Sequence, residues 1–245
     1  MLTAMTMTMT IEIHATGMLR LLQLSSSFCP IGAFAYSQGL ESAIEQGWIR
    51  DETGLVTWLE GVGSHGLVRL DLPLLARAHS AWQRGDAEAA LLIGERVASN
   101  REARELYEQD HQLGLALAAL LVNLGVEPAR AIRAHAAQGS ATRSSGRLSY
   151  LVAYALGAVH FEISEGAALL GYSFAWAEQQ VSAAARLVPL GHMAAQRALS
   201  EILTRVPSWV DASRGVRDDE LGSSLPALSM AAAWHETQYT RLFRS

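Results

Sequence analysis

The side chains with the widest chemical range in this sequence are 8 histidines, one cysteine and 19 basic residues. The histidines stand at positions 14, 65, 79, 111, 135, 160, 192 and 235. No two are three or four residues apart, so no helical turn presents a paired metal chelate. His235-Glu236 opens like a zinc-protease helix, but Tyr239 occupies the place of the second histidine. Cys29 is solitary, which excludes an internal disulfide and fits a reducing compartment. Beside Pro30 it reads as a buried thiol, with transient contact to a soft or borderline metal as the alternative. All the basic residues are arginine. Without lysine there is no Walker A loop, no side-chain Schiff base and no Ser-x-x-Lys pair. Any nucleotide hydrolysis in this protein's biology then falls to a partner. Gly61-Val62-Gly63-Ser64-His65-Gly66 is a literal G-x-G-x-x-G, but Leu55–Glu60 before it has helical spacing, and Leu67 and Leu70 carry the same face onward. The dinucleotide reading needs a strand there; small residues for close helix approach explain the glycines better. There is no Gly-x-Ser-x-Gly elbow, and no carboxylate pair in an apolar frame that would serve as a general acid. No catalytic residue, metal ligand or cofactor is assigned, and the chain reads as a non-enzyme.

Composition narrows the class further. A chain of 245 residues can bury a substantial core, and with 50% hydrophobic and 18% charged residues it is not a disordered one. A net charge of −5 argues against nucleic acid as a partner, because phosphate contacts need a concentrated positive face. The uncharged and mostly apolar stretch 111–126 is too short to span a bilayer. Residues 1–17 alternate Met and Thr without a basic start or an apolar run; they read as a mobile tail, not a secretory signal. The expectation is a soluble cytoplasmic protein.

The elements that must position these residues are helices. Asp51 is a candidate N-cap for a helix carrying Leu55, Trp58, Leu59 and Val62. Asp71-Leu72-Pro73 reads as a cap followed by proline in the first turn. Asp86 caps the next helix, and Ser99 or Asn100 starts a long one closed by Gly125. Further helices are expected at 128–138, 147–161, 164–187 and 191–206, with looser stretches at 140–146 and 211–226. The result is an all-α single domain of about ten helices, 18–234, followed by a C-terminal docking tail, 235–245. Segments 114–124, 151–159 and 167–177 are apolar nearly all round. Burial accounts for most of this, but not every helix of one domain can be central, so a homodimer is expected.

Three stretches look built for contact. Residues 25–32 hold too many helix breakers for a helix, yet Phe28, Cys29, Ile31 and Phe34 are too apolar for an ordinary loop. After them Tyr36, Leu40, Ala43 and Ile44 recur at helical spacing up to a stop at Gly47. Arg101, Glu102, Arg104 and Glu105 form a charge cluster whose plain reading is a solvated face with an i, i+4 pair between Arg101 and Glu105. The terminal 239–245 concentrates Tyr, Leu, Phe and two arginines, residue types that dominate interface hot spots. Such a tail docks on a partner or folds back on its own domain.

The wording of these stretches resembles the urease accessory protein UreF family. The run Pro30-x-Gly32-x-Phe34-x-Tyr36-Ser37-Gln38-Gly39-Leu40-Glu41 is similar to the family's opening motif, and Arg101-Glu102-x-x-Glu105-Leu106 to its charged element. Arg186-Leu187-Val188-Pro189-Leu190-Gly191 and His235-Glu236-Thr237-Gln238-Tyr239-Thr240-Arg241-Leu242-Phe243-Arg244-Ser245 match the middle and terminal signatures, in family order, from about Leu19 onward. The resemblance implies an all-helical, non-catalytic homodimer that binds the accessory protein UreD (UreH in some organisms) and recruits the GTPase UreG. Nickel then passes to the urease apoprotein. It further implies partner-binding roles for Pro30, Gly32, Phe34, Tyr36, Ser37, Gln38, Gly39, Glu41, Arg101, Glu102, Glu105, Pro189, Leu190, Gly191, His235, Glu236, Gln238, Tyr239, Arg241, Leu242, Phe243 and Arg244. Replacement of Glu41 or Arg101 is then expected to weaken GTPase recruitment, and truncation after Trp234 to abolish UreD binding while leaving the helical core folded. His192 stands where the family pattern has Gln, and Trp234 where it has a basic residue. The alternative class is a helical ligand-binding protein or enzyme with an unrecognised pocket, which a turnover screen separates.

Overall fold

The helix Tyr150–His160 is apolar on every side, and residues 151–158 are all buried. The structure, a computed structural model, describes residues 13–137, 147–188 and 190–244. Around that central helix, α8, the described chain folds as α1 (Ala15–Ser25), α2 (Leu40–Glu45), α3 (Glu52–Val62), α4 (Leu72–Gln83), α5 (Ala87–Ser99), α6 (Arg104–Asn123), α7 (Glu127–Ala137), α9 (Glu165–Leu187), α10 (His192–Arg214) and α11 (Pro226–Thr237). A 3₁₀ turn, Ala33–Ala35, precedes α2, and a π-helical stretch, Gly63–Asp71, joins α3 to α4. Among the described residues there is no strand. The expected all-α class is the observed one. Helices α4 and α6 flank α8, while α9 runs as a spine against α1, α2, α4 and α10.

Glycine decides the closest approach. A Cβ on Gly114 of α6 would lie 2.3 Å from the Leu148 carbonyl oxygen and 2.8 Å from the Ser149 carbonyl carbon. Those are backbone atoms that cannot swing aside, so only glycine lets α6 meet the start of α8. In the G-x-G-x-x-G stretch, Gly63 lies beneath the Trp209 ring, where a Cβ would come within 2.2 Å.

Three local expectations fail, each overridden by tertiary contact. Asp71 is not a cap: its backbone is helical, its side chain caps nothing, and the helix continues through it from the π stretch. Ser99 ends α5 and Asn100 follows as its C-cap, so neither starts a helix; α6 begins at Arg104. Helix α10 does not stop at 206 but crosses Pro207 to Arg214. Proline inside a helix costs roughly 3 kcal/mol. Here Ile202, Val206, Trp209 and Val210 are buried on both sides of it, each contributing roughly 1.5–3 kcal/mol, so burial outweighs the lost hydrogen bond. Helix α1 starts at Ala15, inside the expected 1–17 tail, and residues 1–12 lie outside the described residues, as does the looser stretch 140–146.

Candidate partner-docking site

Gly39 is the pivot of the opening motif. Its φ of +77° requires glycine, and a Cβ there would stand 3.0 Å from the backbone nitrogen of Ala232 in α11. This close approach seats α2 against α11. Gln38 also has positive φ, at 55°; its Oε1 accepts from Trp176 Nε1 and Gln180 Nε2, both at 3.1 Å, which holds the turn on α9. Tyr36 and Ser37 are buried, and Gln179 donates to the carbonyls of Ala33 and Tyr36. Phe28 and Phe34 face outward, at 93% and 62% exposure, beside exposed Pro30 and half-buried Gly32. Met18, Leu19 and Leu22 of α1 are exposed too. The motif is thus an anchored frame with an apolar outer edge.

The frame carries a buried charge node. His235 is fully buried, with Nε2 3.0 Å from Glu41 Oε2 and Nδ1 2.9 Å from Glu105 Oε2. An ionised carboxylate only accepts, so carboxylates on both ring nitrogens fit an imidazolium that donates twice. Burial pushes the His235 pKa down, but the hydrogen bonds to Glu105 and Glu41 together outweigh it and raise it above the ordinary imidazole value. Glu41 is also the anchor of the C-terminal segment: Oε1 accepts from the Leu242 amide at 2.7 Å, and Oε2 from the Phe243 amide at 2.9 Å. Arg244 donates its amide to the Ala35 carbonyl, Phe243 is buried, and the Arg186 guanidinium sits 5.9 Å over its ring. Glu236 Oε1 accepts the Glu105 amide at 3.1 Å, completing the exposed start of α6 from another helix. Residues 242–244 therefore fold back on their own domain. Tyr239, fully exposed, and Leu242, at 62%, point outward with Arg241 and Arg244. Gln238 donates to the Thr240 carbonyl.

The charged element is rearranged. Arg101 does not pair with Glu105; it pairs with Asp71 at 2.5 Å, while Glu102 is exposed and accepts from Ser229 Oγ. Asp110 is near enough to act electrostatically on Arg101 and accepts from Ser149 Oγ at 3.1 Å. Asp71, Arg101 and Asp110 line a narrow polar pocket of about 80 Å³ with Gln38, Tyr150 and Tyr172. Burial raises the Asp110 pKa from 3.8 to about 6, with Arg101 and Ser149 pulling it back. Sequence spacing does not reveal this cluster, because Asp71 and Asp110 are brought to it from the π stretch and from α6. The only local signal was an aspartate inside the apolar run Leu70-Asp71-Leu72. An acid whose folded pKa is raised makes the fold less stable as pH climbs from its unfolded value through the folded one. Between pH 4 and 6 the protein should lose on the order of 1–2 kcal/mol through this group. Urea unfolding of Asp110→Asn should show that slope removed; an unchanged slope would assign it to another group.

The middle motif is not part of the node. Gly191 is the exposed residue before α10, Leu190 is half-buried, and Pro189 lies outside the described residues. Next to it opens a cleft of about 440 Å³ lined by Cys29, Ile31, Phe34, Trp176, Arg186 and Leu199. Burial raises the Cys29 thiol to about 11, so it stays protonated at neutral pH and is a poor metal ligand. Among the described residues no group of three His, Cys, Asp or Glu could hold a metal ion. None of their helices is long and apolar enough to cross a membrane. The ring of Trp234, the departure noted above, lies 5.5 Å from that of Trp48 at a tilt of 56°, and Trp48 lies 6.2 Å from Trp58.

Comparison with known proteins places the chain in a family. The family model described as UreF matches residues 49–203. The chain is 43% identical over 225 residues to the urease accessory protein UreF of Chromohalobacter salexigens, covering 92% of this chain and 93% of that one. It is 42% identical to UreF of Pseudoalteromonas translucida (93% and 94% covered) and 39% identical to UreF 2 of Brucella anthropi (94% and 97%). These relatives are named as accessory proteins and not as enzymes, and this chain belongs to the UreF family.

Proposed function

We propose that this protein is a cytoplasmic adaptor in nickel delivery to urease. It works as a homodimer that binds UreD (UreH), recruits the GTPase UreG and promotes GTP-dependent nickel incorporation into the urease apoprotein. One observation carries the reading: His235, Glu41 and Glu105 tie the opening motif, the charged element and the C-terminal segment into one surface. Tyr239 and Leu242 stand outward from it as unspent apolar area. The absence of lysine supports the division of labour, since nucleotide hydrolysis then belongs to a partner. The exposed face of α1 with Phe28 and Phe34 is the surface we assign to self-association.

The test separates docking from folding. Truncation after Trp234 removes His235 and leaves Glu41 and Glu105 buried without their cation, so it would damage the domain as well as the tail. Truncation after Gln238, and the single changes Tyr239→Ala and Leu242→Ser at exposed positions, are cleaner. Co-purification with UreD should fall at least about tenfold for Tyr239→Ala, as at an aromatic hot spot, with the helical circular-dichroism signal unchanged. Undiminished capture by all three variants would remove the tail from the docking surface.

A further inference from the structure

The node does more than join elements, because its geometry depends on one proton. Glu41 holds both amides of the C-terminal segment and one nitrogen of His235. Glu105 offers Oε2 to the other nitrogen, and among the described residues its Oε1 has no hydrogen-bond partner. The titratable groups facing His235 are Glu41 from α2 and Glu105 from α6; on its own helix Glu236 is turned to the α6 amide. Among the described residues, His235 is the cation paired with either carboxylate.

A neutral imidazole has one N–H and one lone pair. Whichever nitrogen loses its proton turns a lone pair on a carboxylate about 3 Å away, in a dry site where repulsion is strong. Glu105 has no other side-chain donor described, whereas Glu41 keeps two backbone amides. The remaining proton is therefore best kept on Nδ1, facing Glu105, and the lone pair then meets Glu41 Oε2, the oxygen that holds Phe243.

We propose that His235, Glu41 and Glu105 form a one-proton latch that fastens residues 242–243 to α2 while the imidazole is doubly protonated and releases them when it is neutral. The latch regulates the docking surface described under Proposed function and rests on that reading for its role, though not for its existence. The sign follows from linkage. The fastened state favours the charged imidazole, so fastening is complete below the ordinary imidazole pKa, near 6.5. It is lost as pH rises through the higher value of the fastened state. Release would free Phe243 and dissolve the shape in which Tyr239 and Leu242 are presented.

The experiment is hydrogen exchange on the full chain from pH 6 to 9, corrected for intrinsic exchange rates. The Leu242 and Phe243 amides should lose protection by up to about tenfold per pH unit between the ordinary imidazole pKa, near 6.5, and the higher value of the fastened state, and level off above it, while the Ala153 amide in α8 does not titrate. His235→Gln should abolish the slope, and Glu105→Gln should move it to lower pH. Should His235→Gln fail to fold, Glu105→Gln and a direct imidazole titration of the unsubstituted chain decide the same question. Capture of UreD is measured over the same pH range and should fall with the protection. Exchange that titrates while capture stays flat leaves the latch standing and overturns the docking role of the tail. Flat exchange at 242–243 in the unsubstituted chain, or an unaltered slope in both variants, overturns the latch.

Discussion

Glu41→Ala is expected to lower the stability of the fold by about 3–5 kcal/mol at neutral pH, the range for breaking a buried charge pair from one side. In a domain of this size that is a fall of roughly 10 °C in the thermal midpoint. The reason is concentration: one side chain that is 7% exposed accepts from His235 and from the Leu242 and Phe243 amides. Its loss leaves the imidazole with Glu105 alone and strands two amides. Trypsin should then cut at Arg241 and Arg244 well before the helical core is attacked, because the segment carrying them is untied. Glu41→Gln keeps an acceptor for one amide and should lose less. A triple replacement of Glu41, Glu105 and His235 by Leu, Leu and Phe should recover much of the stability, since apolar packing often equals a buried ion network. If Glu41→Ala unfolds at the parent midpoint, the node is not holding the tail. Weaker GTPase recruitment by a Glu41 variant would then follow from the fold alone, without direct contact by this side chain.

Arg101→Met should be of similar size for a different reason. Arg101 pairs with Asp71, 6% exposed, and also attracts Asp110, so its removal leaves two carboxylates lining one polar pocket without its guanidinium. About 3–5 kcal/mol should be lost at pH 8. Without the guanidinium, the Asp110 pKa rises further above its unfolded value. Its contribution then falls as pH climbs from about 4 through that raised value, and the deficit should be smaller at pH 5 than at pH 8. Arg101→Lys returns the charge but not the planar fork that reaches Asp71 through both terminal nitrogens, and should recover only part. Paired urea unfolding curves at pH 5 and 8 check this; a deficit independent of pH would remove Asp110 from the account. As with Glu41, partner assays on Arg101 variants need a folding control.

Helix type, and many helix ends, were legible in the sequence because they depend on neighbours. Asp51, Asp86 and Ser164 accept from the amides three residues on, as their positions before apolar periodic runs require. Gly47 and Gly125 stop their helices with φ of +73° and +85°, conformations that glycine alone enters freely. The family wording was legible for the same reason, as a string of residues. What the string could not contain was pairing across distance. Arg101 and Glu105 look like an i, i+4 pair, but each finds a better partner in a drier place: Asp71, 30 positions away, and His235, 130 positions away. Glu41 and His235 are 194 positions apart. A local ion pair on a solvated helix is worth a few tenths of a kcal/mol, whereas a buried carboxylate without a partner costs several. The tertiary structure therefore decided where Glu41, Asp71, Glu105 and His235 found their partners, carried α10 through Pro207, and fastened at Glu41 a segment that the sequence left to dock on a partner or fold back.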